Sequence, residues 1–233
     1  PGLTKPDSRL PDKEKRYMDC IGILNLQGGV VEHADHLARI GIEAVLVRKP
    51  EDLQGLKGLI IPGGESTCLH RLVRLFNLED AIVQASRNGT RLWGTCAGAI
   101  LLATTVVDEG SKLGLIDITV QRNAFGSQLD SFSAEAVVPA VSPSPVPLTF
   151  IRAPQITAVG EDVRILLELE SYIAMAENQN VLVSVFHPEL TPCLAFHRYF
   201  ALKCGLTPTP ASTTESDTDR TWQRTSWTRH LRP

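Results

Sequence analysis

No apolar run in this 233-residue chain approaches the roughly 20 residues that a membrane-spanning helix needs, which sets aside a helical membrane protein. Residues 1–19 are polar and punctuated by proline, without the apolar centre of a secretory signal, so a cytoplasmic location is expected. There is no C-x-x-C pair. The five cysteines (Cys20, Cys68, Cys96, Cys193, Cys204) are odd in number and irregularly spaced, which argues against a disulfide framework and fits a reduced compartment. Neither sign of charge is in marked excess. With a net charge of −3 and basic residues dispersed among acids, the chain offers no footprint for nucleic acid or for an anionic membrane. Nor is there an internal repeat, which removes solenoid architectures.

What is present is enough apolar material for a substantial core, 43% of the residues, most simply folded as one domain at 20–205. Residues 20–26 (CIGILNL) read as a buried strand, Gln27-Gly28-Gly29 as a tight turn, and 30–40 as a helix stopped by Gly41. Strands follow at 43–47, 59–61 and 91–93, with helical patterns at 67–76 and 78–88. This alternation predicts an α/β fold: a doubly wound, largely parallel, flavodoxin-like sheet flanked by helices, with sites at the strand C-terminal ends. From 116 to 172 the texture changes to short β-rich runs (118–120, 132–138, 148–151, 163–168), which predict a smaller antiparallel β flap. Pro139, Pro143, Pro145 and Pro147 are expected to break it with a stiff exposed loop. A last helix is expected at 192–203. Residues 1–19 read as a disordered extension, and 206–233 as a disordered tail or a remnant of expression, despite Trp222 and Trp227.

Chemistry concentrates in two segments. Gly94-Thr95-Cys96-Ala97-Gly98 lies between apolar runs, where a strand would turn sharply into a helix, and its glycines permit such an elbow. A thiol there sits over the first helical N–H groups, which favour the thiolate. Far downstream, 181–186 (VLVSVF) reads as a buried strand that ends in His187-Pro188-Glu189. In extended chain, residues two apart point the same way, so Glu189 could hold one imidazole nitrogen of His187 while the other faces Cys96. Each residue alone reads as ordinary core; the combination reads as a nucleophile, a base and an orienter of the base.

Pro62-Gly63-Gly64-Glu65-Ser66-Thr67 closes a strand and opens a helix, so the Gly63 and Gly64 amides could face an oxyanion, with Ser66 or Thr67 as helix cap. Arg122 and Arg152 end β-runs and alone read as surface charges. Glu32-His33-x-Asp35-His36 lacks the i, i+4 histidine pair of a zinc helix and reads as a solvated face; no metal site is expected.

Together these segments resemble the class I, triad-type glutamine amidotransferases. Within that family the match is to glutaminase subunits of pyridoxal 5'-phosphate synthase, through Leu26-Gln27-Gly28, the Pro62–Thr67 segment, the Cys96 elbow, Arg122-Asn123-x-Phe125-Gly126-x-Gln128-x-Asp130-Ser131-Phe132, Ile151-Arg152-Ala153-Pro154 and Phe186-His187-Pro188-Glu189-Leu190-Thr191. The resemblance implies Cys96 as nucleophile, His187 as base and Glu189 as its orienter. It implies Gly64 and Ala97 as oxyanion donors, a site for L-glutamine formed by Gly63, Gly64, Glu65, Ser66, Arg122, Ile151 and Arg152, and Gln27 at an activating interface. It also implies a separate (β/α)8 pyridoxal 5'-phosphate synthase subunit as partner in a hetero-oligomeric complex, and no metal or organic cofactor. Cys68 stands where the family usually has Thr, and the C-terminal tail is unlike the family. Two other functions are open at this level: a glutaminase of another pathway such as histidine biosynthesis, and a regulatory module that keeps the fold without the activity.

Overall fold

The computed structural model of the chain describes residues 19–122, 131–170 and 172–209. Asn123, Phe125, Gly126, Gln128 and Asp130 of the arginine-asparagine motif, residues 1–18, and Trp222 and Trp227 lie outside them.

The first half follows the β/α alternation. Its elements are β1 (Cys20–Leu24), α1 (Val30–Arg39), β2 (Glu43–Val47), β3 (Gly58–Ile61), α2 (Ser66–Leu75), α3 (Glu79–Arg87), β4 (Arg91–Thr95) and α4 (Ala97–Leu102). Every residue of β1 and β3 is buried, as expected of strands covered on both faces. Gly41 ends α1 as expected: it adopts φ +74°, and the Ile42 and Gly41 N–H groups donate to the carbonyls of Leu37 (2.9 Å) and Ala38 (3.0 Å), a Schellman closure.

The second half comprises β5 (Ala103–Val106), β6 (Ile116–Gln121), β7 (Ser131–Val138), β8 (Ser142–Ile151), β9 (Gln155–Val159), β10 (Arg164–Leu169), β11 (Tyr172–Glu177), β12 (Val181–Ser184) and, after a 3₁₀ turn at Pro188–Leu190, α5 (Ala195–Lys203). The main sheet runs β2-β1-β3-β4-β12-β11-β9-β6-β5, with β10 also on β11.

This sheet is mixed, which corrects the expectation of a largely parallel one. β2, β1, β3, β4 and β12 are mutually parallel, but β11 is antiparallel to β12, β9 and β10, and β9 to β6. The cause is connection length. A parallel crossover needs about a dozen residues, whereas three residues join β11 to β12, in a turn where the Asn178 side-chain oxygen accepts from the Asn180 and Val181 N–H groups (3.0 and 2.8 Å).

The smaller antiparallel pair is present as β7–β8. Of its prolines only Pro139 lies in the turn between the strands; Pro143, Pro145 and Pro147 lie within β8, where the pairing shifts register between Ala136 and Val138. Each strand of a two-stranded pair is an edge strand, and an edge or a bulge is where a strand tolerates proline.

The domain runs past Gly205, the boundary expected from the sequence. Leu206 is buried, its N–H donates to the Ala201 carbonyl (3.0 Å), and the Thr209 N–H donates to the Ile40 carbonyl (2.8 Å). Truncation after Gly205 is therefore expected to cost about 2 kcal/mol through the lost leucine burial and main-chain bonds. In a domain of this size that lowers Tm by roughly 4–8 °C. Truncation after Thr209 retains these contacts; equal melting curves for the two truncations would contradict this.

Candidate active site

Cys96 stands between β4 and α4 with φ +47° and ψ −104°, a conformation that costs a non-glycine residue energy and persists only where its surroundings impose it. Its N–H donates to the Ser184 carbonyl of β12 (2.8 Å), which ties the elbow to the neighbouring strand. The flanking glycines are needed for contact. A Cβ on Gly98 would stand 2.0 Å from the Ile61 carbonyl oxygen, and one on Gly94 2.5 Å from the Gly98 carbonyl carbon. Helix α4 thus packs directly on β3 and β4, and Cys96 projects from the crest.

His187 follows β12, next to β4 in the sheet, which carries it to Cys96. Its ring stands beside Cys96 across Gly63, and its Nδ1 lies 2.8 Å from Glu189 Oε1. The two-residue spacing works for a reason other than the expected one: Glu189 sits in the 3₁₀ turn Pro188–Leu190, so a turn rather than an extended chain brings its carboxylate back to the ring. Glu189 is fully buried and His187 nearly so. Burial alone would push the His187 imidazole down, but the Glu189 carboxylate and the hydrogen bonds with Cys96 and Glu189 outweigh it and push it up to about 10. Burial alone would raise Glu189; the charge on His187 and its hydrogen bond reverse this and hold the carboxyl well below the usual carboxylate range.

A cleft of about 780 Å³ opens over Cys96. Gly63, Gly64, Glu65, Ser66, Arg122, Ile151 and Arg152 all line it, so the structure brings the sequence-derived binding residues together with Cys96, His187 and Glu189. Gly63 is packed against both side chains: a Cβ there would meet His187 Cε1 at 2.5 Å and Cys96 Cβ at 3.2 Å. Gly64 has φ +126°. Ala97 is buried as the first residue of α4, and its side chain is not part of the cleft wall. Gln27 also stands back from the cleft; its side-chain amide donates to the Glu65 carbonyl (2.8 Å) and covers Gly64.

One capping assignment changes. Glu65, not Ser66 or Thr67, caps α2, accepting from the Thr67 (2.9 Å) and Cys68 (2.6 Å) N–H groups, and these bonds hold its carboxyl below the usual range. Arg122 pairs with Glu109 and approaches Glu65 at 3.5 Å, while Arg152 is exposed with a strained φ of +42°.

The expected solvated face of α1 is also corrected at two positions. His33 and His36 are completely buried against His197 of α5, with His33 Nδ1 2.8 Å from His197 Nε2 and His36 Nδ1 3.0 Å from His197 Nδ1. Their ring nitrogens meet in pairs at hydrogen-bond distance, and among the described residues no cluster suits a metal ion. The sequence did carry a signal: His33 falls at i+3 between Val30 and Leu37, on the apolar stripe of α1. Gly29 was likewise missed as a site residue. A Cβ there would stand 2.8 Å from Glu189 Cγ, so only glycine lets the start of α1 approach the carboxylate.

The mixed sheet, the small antiparallel pair and the cysteine elbow define a class I glutamine amidotransferase fold, that of a crystal structure of a glutamine amidotransferase with a TM-score of 0.75 and 43% identity over 80% of this chain and 99% of that one. The sequence profile of the SNO glutamine amidotransferase family matches residues 23–205, and the chain belongs to that family. Its relatives include the pyridoxal 5'-phosphate synthase subunit PdxT of Syntrophus aciditrophicus, 57% identical over 217 residues (93% of this chain, 96% of the relative). PdxT of Caldanaerobacter subterraneus subsp. tengcongensis is 48% identical over 182 residues (77% and 96%). The fold alone is shared with PurLQS from Thermotoga maritima, at a TM-score of 0.56 and 15% identity. The length of the Syntrophus match requires that it include some residues beyond Gly205. Among the described residues no helix is long and apolar enough to cross a membrane.

Proposed function

We infer that this chain is the glutaminase subunit of a pyridoxal 5'-phosphate synthase, hydrolysing L-glutamine to L-glutamate and ammonia and passing the ammonia to a (β/α)8 synthase subunit for vitamin B6 biosynthesis. The observation that carries the chemistry is the strained Cys96 elbow beside His187, itself 2.8 Å from the buried Glu189. The pathway rests on the relatives' names and on their near full-length match.

In this reading the Cys96 thiolate attacks the side-chain amide carbon of glutamine, and the carbonyl π electrons move to oxygen. The Gly64 and Ala97 N–H groups receive that oxyanion. As the tetrahedral species collapses, the C–N bond breaks and His187 gives its proton to the departing nitrogen, leaving a thioester and ammonia. His187 then takes a proton from water as it attacks the thioester, and the thiol returns when glutamate leaves. Arg122 and Arg152 at the rim bind the α-carboxylate end of the substrate. Glu65 accepts from its ammonium.

The synthase subunit switches the glutaminase on. Two adjacent glycines leave the Gly63–Gly64 peptide free to rotate, and Gln27, which covers Gly64 and bonds to Glu65, gives a docked partner a lever on that loop. One oxyanion donor is worth about 10² to 10³ in kcat, so kcat for glutamine hydrolysis is expected to rise by about that factor on saturation with the synthase subunit. Equal rates with and without it would refute activation; a change in KM alone would transfer the effect to substrate binding. Release of glutamate, with ammonia-dependent pyridoxal phosphate formation in the complex, tests the reading as a whole. It separates it from a silent regulatory module, while failure to support the synthase would favour a glutaminase of another pathway.

A further inference from the structure

Glu189 uses only half of its carboxylate on the catalytic base. Oε1 lies 2.8 Å from His187 Nδ1, whereas Oε2, in a completely buried side chain, has no hydrogen bond. An anionic oxygen left without a donor in such a place is costly. The group facing it is His33 Nε2, at 3.6 Å, which is also buried and without a hydrogen bond. The two orphans complement each other, and a small ring rotation closes the bond.

The histidines behind His33 determine which of its nitrogens carries the proton. A carboxylate oxygen only accepts, so the Nε2 that faces it carries hydrogen and Nδ1 of the same neutral ring is bare. Bare Nδ1 must accept from His197 Nε2–H (2.8 Å); His197 Nδ1 is then bare and accepts from His36 Nδ1–H (3.0 Å). The series ends at His36 Nε2, which is buried and has no hydrogen bond. With His33 Nε2–H facing Glu189, only one set of neutral tautomers satisfies both histidine–histidine contacts. Burial keeps all three rings below the usual imidazole range, His36 at about 3, so the series is neutral and faces Glu189 as a dipole rather than as a charge.

We propose that His33 is a positioning residue of the triad: its Nε2–H holds the second oxygen of Glu189, and His197 and His36 behind it lock it in the donating tautomer. The inference rests on the glutaminase reading above. Without this donor, Glu189 can rotate away from His187, and the base loses its orientation toward Cys96. The packing supports a fixed arrangement, since His197 also lies edge-on to Trp93 (centroids 5.0 Å apart) and Gly29 keeps the start of α1 against Glu189.

The test compares His33→Leu, which fills the space without a donor, with His33→Gln, whose amide can donate to Oε2. Both are assayed with saturating synthase subunit beside wild type and Cys96→Ser. The leucine variant is expected to lose about 10- to 100-fold in kcat, the scale for a misplaced catalytic group, with little change in KM, and the glutamine variant to recover most of that loss. A folded leucine variant with wild-type kcat, or a glutamine variant no better than leucine, overturns the proposal while wild-type activity leaves the glutaminase reading standing. An inactive wild type removes both. Should His33→Leu fail to fold, ¹⁵N-histidine spectra of the wild-type chain decide: Nε2–H tautomers for His33 and His197 with Nδ1–H for His36 support the arrangement, and a bare Nε2 or a charged ring at His33 at neutral pH overturns it.

Discussion

Cys96→Ser is expected to abolish glutamine hydrolysis, lowering kcat by at least about 10⁴-fold, while leaving the fold and the binding of glutamine intact. Serine differs from cysteine by one atom and fits the same elbow, so the strained φ of +47° and the bond from its N–H to Ser184 survive. What is lost is nucleophilicity. Sulfur is intrinsically the stronger nucleophile, whereas a hydroxyl must surrender its proton during attack, in a site whose imidazole already holds one up to about pH 10. Glutamine binding by calorimetry and glutamate release measured on the same preparation check this. Residual wild-type turnover, or alkylation by a glutamine analogue at Cys68 or Cys193 in place of Cys96, would remove Cys96 from the mechanism.

Glu189→Gln is the second large effect, a loss of about 10² to 10⁴ in kcat. Neutralising the equivalent carboxylate in a serine triad costs about 10⁴, and a thiol, being more acidic, depends less on the third member. The amide retains the shape of the carboxylate but removes the charge that raises His187, so the alkaline limb of kcat moves below its wild-type position near pH 10. The signs for stability follow the same pair. His187, raised above its ordinary 6.5, contributes stability that is complete below that value and lost as pH rises through about 10. Glu189, depressed from 4.5, contributes stability present above that value and lost as pH falls through about 2. An unchanged alkaline limb in Glu189→Gln would show that Glu189 does not set the charge on His187.

The grouping of Cys96, His187 and Glu189 was legible because its constraints are local. The glycines of the elbow, the strand before it, and a histidine with a carboxylate two residues on can each be read within a handful of neighbouring residues. The parallel half of the sheet was legible for a similar reason, since β1, α1, β2 and β3 alternate at the spacing that crossover connections require. The antiparallel half was not: β6 to β12 are short runs whose partners are decided by connection length and by edges still open, and β11 finds three partners. Pro143, Pro145 and Pro147 were misread because a strand tolerates proline at an edge or a bulge, and neither is known before its pairing is.

By itself, the sequence determined which side chains could do chemistry and which segments would carry them: a thiol at a glycine-flanked elbow, an imidazole and carboxylate at a strand end, and paired glycines at a third. Tertiary structure alone decided what surrounds them. It brought α5 against α1, so that histidines 161 and 164 residues apart meet behind Glu189, and it turned the His187–Glu189 segment into a 3₁₀ turn. The physical reason is that strand, turn and cap preferences act between near neighbours in sequence, whereas desolvation and hydrogen-bond satisfaction depend on the whole packed interior, in which a histidine on an apolar stripe finds its partners only after the core has closed.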